Sequence, residues 1–369
     1  MASLKLVNVY KNYYSGDKII NAVKDLNLDI KDGELISILG PSGCGKSSTM
    51  RMIAGLEDIT SGDIFIDSNI VNDLGPSDRN IALAFESYAL YQHLSVKENI
   101  GFCLKVKKYS KDSIDKSIKE IAELIGIEQI LNSRPGGLSG GQQQLVSLAR
   151  ALIRKPSITL LDEPISHLDT KARIAMTFKI KMIHSSTNLT MIYVTHNQEE
   201  ALSIADRIAV MENGELQQIG TRSEILDSPK NLFVANFVGE PPMNFLKCRF
   251  NSTDSGKITV TTKDSRFIAD IVGEKAKKII NQKTNELIVG MRPNSLSEKH
   301  RTGANDKITG RVIYNEFLGE GNNLKIEFGE NILIAVLRNP IDFKKGDSLE
   351  LFYDRNNLYF FNPETQLMI

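Results

Sequence analysis

Glu34-Leu35-Ile36-Ser37-Ile38-Leu39 runs directly into Gly40-Pro41-Ser42-Gly43-Cys44-Gly45-Lys46-Ser47, and the pair reads as a strand, a glycine-rich turn and the start of a helix. The spacing G-x-x-x-x-G-K-[ST] lets the backbone curl into a ring of N–H donors around the β- and γ-phosphates of a nucleotide. Lys46 then supplies a point charge to the phosphate oxygens, and Ser47 a hydroxyl ligand for magnesium. At Cys44 only the backbone needs to face the anion, so the thiol is read as structural and as sensitive to thiol reagents. Leu138-Ser139-Gly140-Gly141-Gln142 precedes Leu145, Leu148, Ala149 and Leu152 at helical spacing. Its glycines therefore sit at a helix N-terminus, whose free amides and dipole attract a second anion, naturally a γ-phosphate. Neither run completes an ATP site alone.

Ile158-Thr159-Leu160-Leu161-Asp162-Glu163-Pro164 reads as a buried parallel strand with two acids at its C-terminal edge. Adjacent carboxylates are usually solvated surface, yet surface acids seldom close an apolar strand before a proline. Met191-Ile192-Tyr193-Val194-Thr195-His196 is a second apolar strand, ending in histidine. A solitary histidine more often serves a structural hydrogen bond. Its place at a strand end, behind the acids, turns the reading toward catalysis.

In this order, with Ser166-His167-Leu168-Asp169 between the last two, these motifs resemble the ATP-binding cassette family, the motor subunits of membrane transporters. The resemblance runs along nearly the whole chain. It implies an α/β P-loop cassette with a mixed sheet core, an antiparallel β subdomain and a helical subdomain. It also implies ATP and Mg2+ as cofactors, with Gly40, Pro41, Ser42, Gly43, Cys44, Gly45, Lys46, Ser47 and Ser48 around the phosphates and Ser47 and Asp162 on the metal. Lys46, Glu163 and His196 become the catalytic set, Glu163 as general base. Ser139, Gly140, Gly141 and Gln142 of a second copy would close over the γ-phosphate, with Asp169 in the loop that crosses the dimer interface. Tyr13 falls where the family places an aromatic ring against adenine, although packing within its sheet would also explain it. The implied partners are a second copy of the chain, head to tail, two integral-membrane permease subunits and, indirectly, an extracytoplasmic solute-binding protein.

Phe85-Glu86-Ser87 departs from the family pattern, which has glutamine at the middle position and counts it among the nucleotide and magnesium contacts. Glutamate keeps an oxygen ligand but loses two N–H donors and adds negative charge beside Asp162 and Glu163, and such crowding raises a carboxyl pKa. The chain is still read as an active ATPase, because every other catalytic position is intact.

Lys plus Arg and Asp plus Glu number 45 each in 369 residues, so no global field points to nucleic acid or an anionic membrane. Cys44, Cys103 and Cys248 form neither a disulfide framework nor a metal-ligand spacing. No stretch approaches the ~20 apolar residues of a membrane helix. With the resemblance, this gives a peripheral subunit at the cytoplasmic face of the cell membrane.

The cassette is expected over 1–237, with the helical subdomain at about 90–155, where Ile114, Ile118, Ile121 and Ile125 form a core stripe ended by Gly126. Tyr88, Ala89, Leu90 and Tyr91 lie beside the residue 86 loop, consistent with a docking cleft for a permease helix. After Val238-Gly239-Glu240-Pro241-Pro242 short β-branched runs take over, so 238–369 is expected to be a small OB-like β-barrel domain. Pro242-Met243-Asn244-Phe245-Leu246, Val289-Gly290-Met291-Arg292-Pro293 and Phe361-Asn362-Pro363-Glu364-Thr365 resemble the regulatory domain of ATPases that serve maltose and multiple-sugar importers. Lys275-Ala276-Lys277-Lys278 reads as a solvated face. A sugar or oligosaccharide importer is thus the expected assignment. Importers of polyamine, iron, phosphonate or glycerol phosphate share the architecture. ATPases acting on DNA or ribosomes reuse the cassette but carry long coiled coils or two cassettes, and this chain has one phosphate loop and no sustained heptads.

Overall fold

Alternation at the N-terminus is realised as β1 (Leu4–Ser15) and β2 (Lys18–Ile30), an antiparallel pair whose inward Leu4, Leu6, Val23 and Leu26 are buried. After β3 (Leu35–Leu39) and α1 (Lys46–Ala54), β4 (Ser61–Ile66) and β5 (Asn69–Ile70) complete a four-stranded sheet in the order β2-β1-β4-β5. This is a computed structural model, and it describes every residue except 1, 17, 86, 254–255, 300–305, 318, 320 and 340. Two units divide the chain, Met1–Ser223 and Glu224–Ile369.

The central sheet of the first unit adds β6 (Ile81–Ala84), β7 (Ile158–Asp162), β8 (Thr190–Thr195), β9 (Arg207–Glu212) and β10 (Glu215–Gly220) in the order β10-β9-β3-β8-β7-β6. Five strands are parallel and β10 returns antiparallel to β9 across Asn213-Gly214, both at positive φ, as a two-residue hairpin turn requires. The parallel strands are buried on both faces, which explains their continuous apolar runs. Helices α2 (Val96–Val106), α3 (Lys111–Ile125) and α4 (Gly140–Leu152) form the helical part, followed by α5 (Thr170–Thr187) and α6 (Gln198–Ile204). Ile118, Ile121 and Ile125 are buried as the stripe demands, Ile114 is half-buried, and Gly126 caps α3 at φ 77°.

In the second unit, which begins within α7 (Arg222–Asp227), come α8 (Leu232–Phe237), β11 (Asn244–Ser252), β12 (Ile258–Thr262), β13 (Ile268–Ile271), α9 (Gly273–Ile280), β14 (Glu286–Met291), β15 (Asp306–Phe317), β16 (Asn322–Phe328), β17 (Asn331–Leu337), β18 (Ser348–Tyr353) and β19 (Tyr359–Phe361). They form two sheets, β13-β12-β11-β14-β19 and β17-β16-β15-β18, around one apolar core that includes Leu246, Val260, Val312 and Leu324. The units part before 224, not at 237/238. Residues 226–238 belong with the β-rich unit because Arg292 donates to the carbonyls of Leu226, Ala235 and Val238, and Leu232 and Met368 bond across to Gln366 and Lys230. The three lysines of Lys275–Lys278 are exposed, while Ala276 and Ile279 turn α9 onto the core and the Lys275 ammonium donates to the carbonyls of Asn356 and Leu358. Among the described residues no helix is long and apolar enough to cross a membrane.

Candidate functional site

Strand order brings the motifs together. β8 lies between β3 and β7, all three parallel, and their ends align in register: Leu39 pairs with Thr195, and Val194 with Asp162. The phosphate loop after β3, His196 after β8 and Asp162-Glu163 at the end of β7 therefore share one sheet edge, with strands about 4.8 Å apart.

The loop is shaped by close backbone packing. Gly45 sits at φ 103°, and a Cβ there would come within 2.4 Å of the Ala22 carbonyl oxygen. A Cβ at Gly40 would meet the Met211 carbonyl at the same distance, so both positions require glycine. Lys46 is buried, and its Nζ donates to the carbonyls of Gly40 at 2.8 Å and Pro41 at 2.9 Å, bracing the ring. Ser47 and Ser48 lie in the first turn of α1. This arrangement fits a phosphate group: a basic side chain and the amides of a helix N-terminus line a loop that glycine holds open. The Ser47 hydroxyl and Asp162 carboxylate are hard oxygen donors of the kind magnesium takes. Glu86 lies outside the described residues.

The Cys44 thiol packs inside the loop. Burial pushes it up despite the neighbouring Lys46 charge, which argues against the expected sensitivity to thiol reagents. Burial also pushes up Cys103, and Cys248 to about 12. All three thiols of the folded chain should react with a disulfide reagent at pH 8 at least ~10-fold more slowly than in urea, because the thiolate is the nucleophile. A fast single-thiol phase in the native protein, lost in Cys44→Ala, would contradict this packing.

Tyr13 is half-buried, and its hydroxyl donates to Glu57 while accepting from Ser48 Oγ at 3.1 Å. Lys11 Nζ stands 4.8 Å from the ring centroid. The ring is therefore fastened to the helix that carries Ser47. Glu57, which sequence reasoning missed, holds it there: burial pushes its carboxyl up, but the hydrogen bonds from Tyr13 and Arg51 outweigh that and leave it below the usual carboxylate range.

Glu163 follows β7 in left-handed backbone, φ 42°, with its N–H on the Val194 carbonyl at 2.9 Å. A non-glycine residue rarely adopts this conformation, and such outliers gather at functional sites. The turn carries Glu163 Oε2 to 2.9 Å from His196 Nδ1, an ion pair when the ring is protonated. Ser139 caps α4 through a reciprocal box with Gln142, its Oγ accepting from the Gln142 N–H at 3.3 Å. The hydroxyl proton stays available for another acceptor. A Cβ at Gly141 would meet nothing within 4 Å, so that face of the turn is open. Asp169 caps α5 by accepting from the Ala172 N–H. Among the described residues no hydrogen bond joins Gly40–Ser47 to Leu138–Gln142 within one chain.

Beside the residue 86 loop, Tyr88 and Ala89 take positive φ, and Arg150 of α4 clamps both carbonyls, at 3.0 and 2.6 Å. Leu90 is buried, whereas Tyr91 is 40% exposed and packs on Phe102. The apolar run there is thus half core and half surface.

A family model described as ABC transporter matches residues 23–166. The oligosaccharides import ATP-binding protein MsmX of Bacillus subtilis is 40% identical over 375 residues, spanning 100% of both chains. The trehalose/maltose import ATP-binding protein MalK of Thermococcus litoralis is 38% identical over 378 residues and 99% of each. Among solved structures, the dimeric post-hydrolysis state of the ATP-binding cassette MJ0796 bound to ADP and Pi is 35% identical with a TM-score of 0.53, covering 59% of this chain and 98% of that one. Motif order, strand topology and full-length identity agree: the chain belongs to the ATP-binding subunits of ABC transporters.

Proposed function

We propose that the chain is the ATP-hydrolysing subunit of a binding-protein-dependent importer of sugars or oligosaccharides, working as a head-to-tail dimer at the cytoplasmic face of the membrane. The observation that carries this reading is the shared edge of β3, β8 and β7, where Lys46, Asp162, Glu163 and His196 converge in a chain matched end to end by relatives named for sugar import. Lys46 and the loop amides hold the phosphates, with Gly40 to Ser48 as the cradle. Ser47 and Asp162 would hold magnesium, which supplies charge neutralisation at the phosphate oxygens when bound. Glu163 takes the proton of the attacking water, and His196 orients that carboxylate and contacts the γ-phosphate. Ser139, Gly140, Gly141 and Gln142 of the second copy close the other side, a reading supported by the lack of any hydrogen bond between the two runs among the described residues of one chain. Tyr13 offers a face to adenine. Closure moves two permease subunits docked near Tyr91, and an external binding protein delivers the solute. The β-rich unit serves as an OB-like regulatory domain, a reading supported by its two sheets sharing one apolar core.

Purification from native membranes should bring down sugar-importer permeases, and turnover of the isolated chain should rise faster than linearly with its concentration. Permeases for polyamine, iron, phosphonate or glycerol phosphate would keep the ATPase reading and replace the solute. Strict linearity down to nanomolar protein would rule out a two-chain site.

A further inference from the structure

Glu200, on α6 just beyond the histidine, is 6% exposed and was not singled out by the sequence. Its Oε2 accepts from Tyr193 Oη at 2.9 Å and from Thr195 Oγ1 at 2.8 Å. Its own N–H donates to Asn197 Oδ1 at 3.1 Å, and the Asn197 N–H donates to Thr195 Oγ1 at 3.0 Å. These bonds close around His196 from both sides. The opposite oxygen, Oε1, faces Arg173 Nε at 3.7 Å, and that Nε is buried without a hydrogen bond. Arg173 Nη2 donates to the Leu168 carbonyl at 3.1 Å, inside the Ser166–Asp169 loop. The loop returns to the acids because Ser166 Oγ donates to the Glu163 carbonyl at 3.1 Å, and Glu163 Oε2 meets His196. The circuit is closed.

A buried carboxylate is a costly way to fill a core position, and an apolar side chain of similar volume packs as well or better. What a carboxylate does, and an apolar group cannot, is fix the directions of several donors at once. Burial and the Glu200 charge push the Tyr193 phenol well up, so it remains a donor. We propose that Glu200 is a positioning residue that, through Arg173, couples the Ser166–Asp169 loop to the strand end holding His196, so that ordering of the loop by a second copy is transmitted to the Glu163–His196 pair. The proposal rests on the catalytic reading of Glu163 and His196 given above.

Glu200→Gln keeps an oxygen for Tyr193 and Thr195 but loses the charge facing Arg173. Arg173→Gln, at a side chain that is 33% exposed, breaks the same link from a position that tolerates change. In full-length protein each single variant should lower ATP kcat about tenfold, with ATP affinity and melting temperature near the parent's. The double variant should be no slower than the slower single, because both remove one link. Defects that multiply in the double variant, an unchanged kcat in Arg173→Gln, or a loss of kcat that merely follows a loss of ATP binding or of melting temperature would overturn the proposal. Glu163→Gln run in parallel separates the two failures. Normal hydrolysis by that variant would overturn the catalytic reading itself, whereas its inactivity beside fully active Glu200→Gln and Arg173→Gln would overturn only the coupling.

Discussion

Glu163→Gln is expected to bind ATP as the parent does, hydrolyse it about 1,000-fold more slowly and accumulate as an ATP-bound dimer, in the range that loss of a general base produces. The substitution is nearly isosteric, and its amide oxygen still accepts from a protonated His196 Nδ1, so the 2.9 Å contact survives. The left-handed backbone at φ 42° is unchanged in kind, because glutamine pays the same strain there as glutamate. What disappears is the capacity to take a proton from water. Binding is preserved because the phosphate grip lies across β8, on the loop after β3. Light scattering or gel filtration with ATP should therefore show a dimer that the parent forms only transiently. A variant that hydrolyses normally and stays monomeric with ATP would refute the assignment of Glu163 as the base.

Lys46→Met is expected to weaken ATP binding ~100-fold, or about 2.8 kcal/mol, within the 1.5–3 kcal/mol typical of one hydrogen bond to a charged group. Methionine replaces the aliphatic stem with little change in volume, so packing of this buried side chain is largely kept. Two things are lost together. The phosphate oxygens lose a positive charge, and the carbonyls of Gly40 and Pro41 lose the donor that holds the loop in a ring. A fluorescent ATP analogue titrated against both proteins measures the first, and a melting curve without nucleotide isolates the second. Unaltered affinity would remove Lys46 from the phosphate site.

The family, the phosphate loop, the paired acids and the histidine were legible in the sequence because each is a contiguous run whose chemistry depends on local spacing. A G-x-x-x-x-G-K-S turn after an apolar strand needs no distant residue to be recognised, since its glycines answer to backbone geometry within the loop. The helix stop at Gly126 and the Asn213-Gly214 turn were readable for the same reason. Long-range pairing was less visible. The second unit's strands followed from β-branched runs, but their division into two sheets is set by which strands pair, and no short window records that. Likewise Arg292, far along the chain, decides that 226–238 folds with the β-rich unit.

By itself the sequence determined which residues carry the chemistry proposed for holding a nucleotide and activating water, because residue type and local backbone demand are written in consecutive letters. Only the tertiary structure decided how they are held: that Glu163 reaches His196, that Glu57 pins Tyr13, that Cys44 is sealed inside its loop, and that Glu200 draws Tyr193, Thr195 and Arg173 together. Asn197 and Glu200 three residues apart do carry a faint local signal of a capped helix start. The other partners come from strands and loops distant in sequence, and the free energy of burying a charge becomes a constraint only once the fold has removed the water around it.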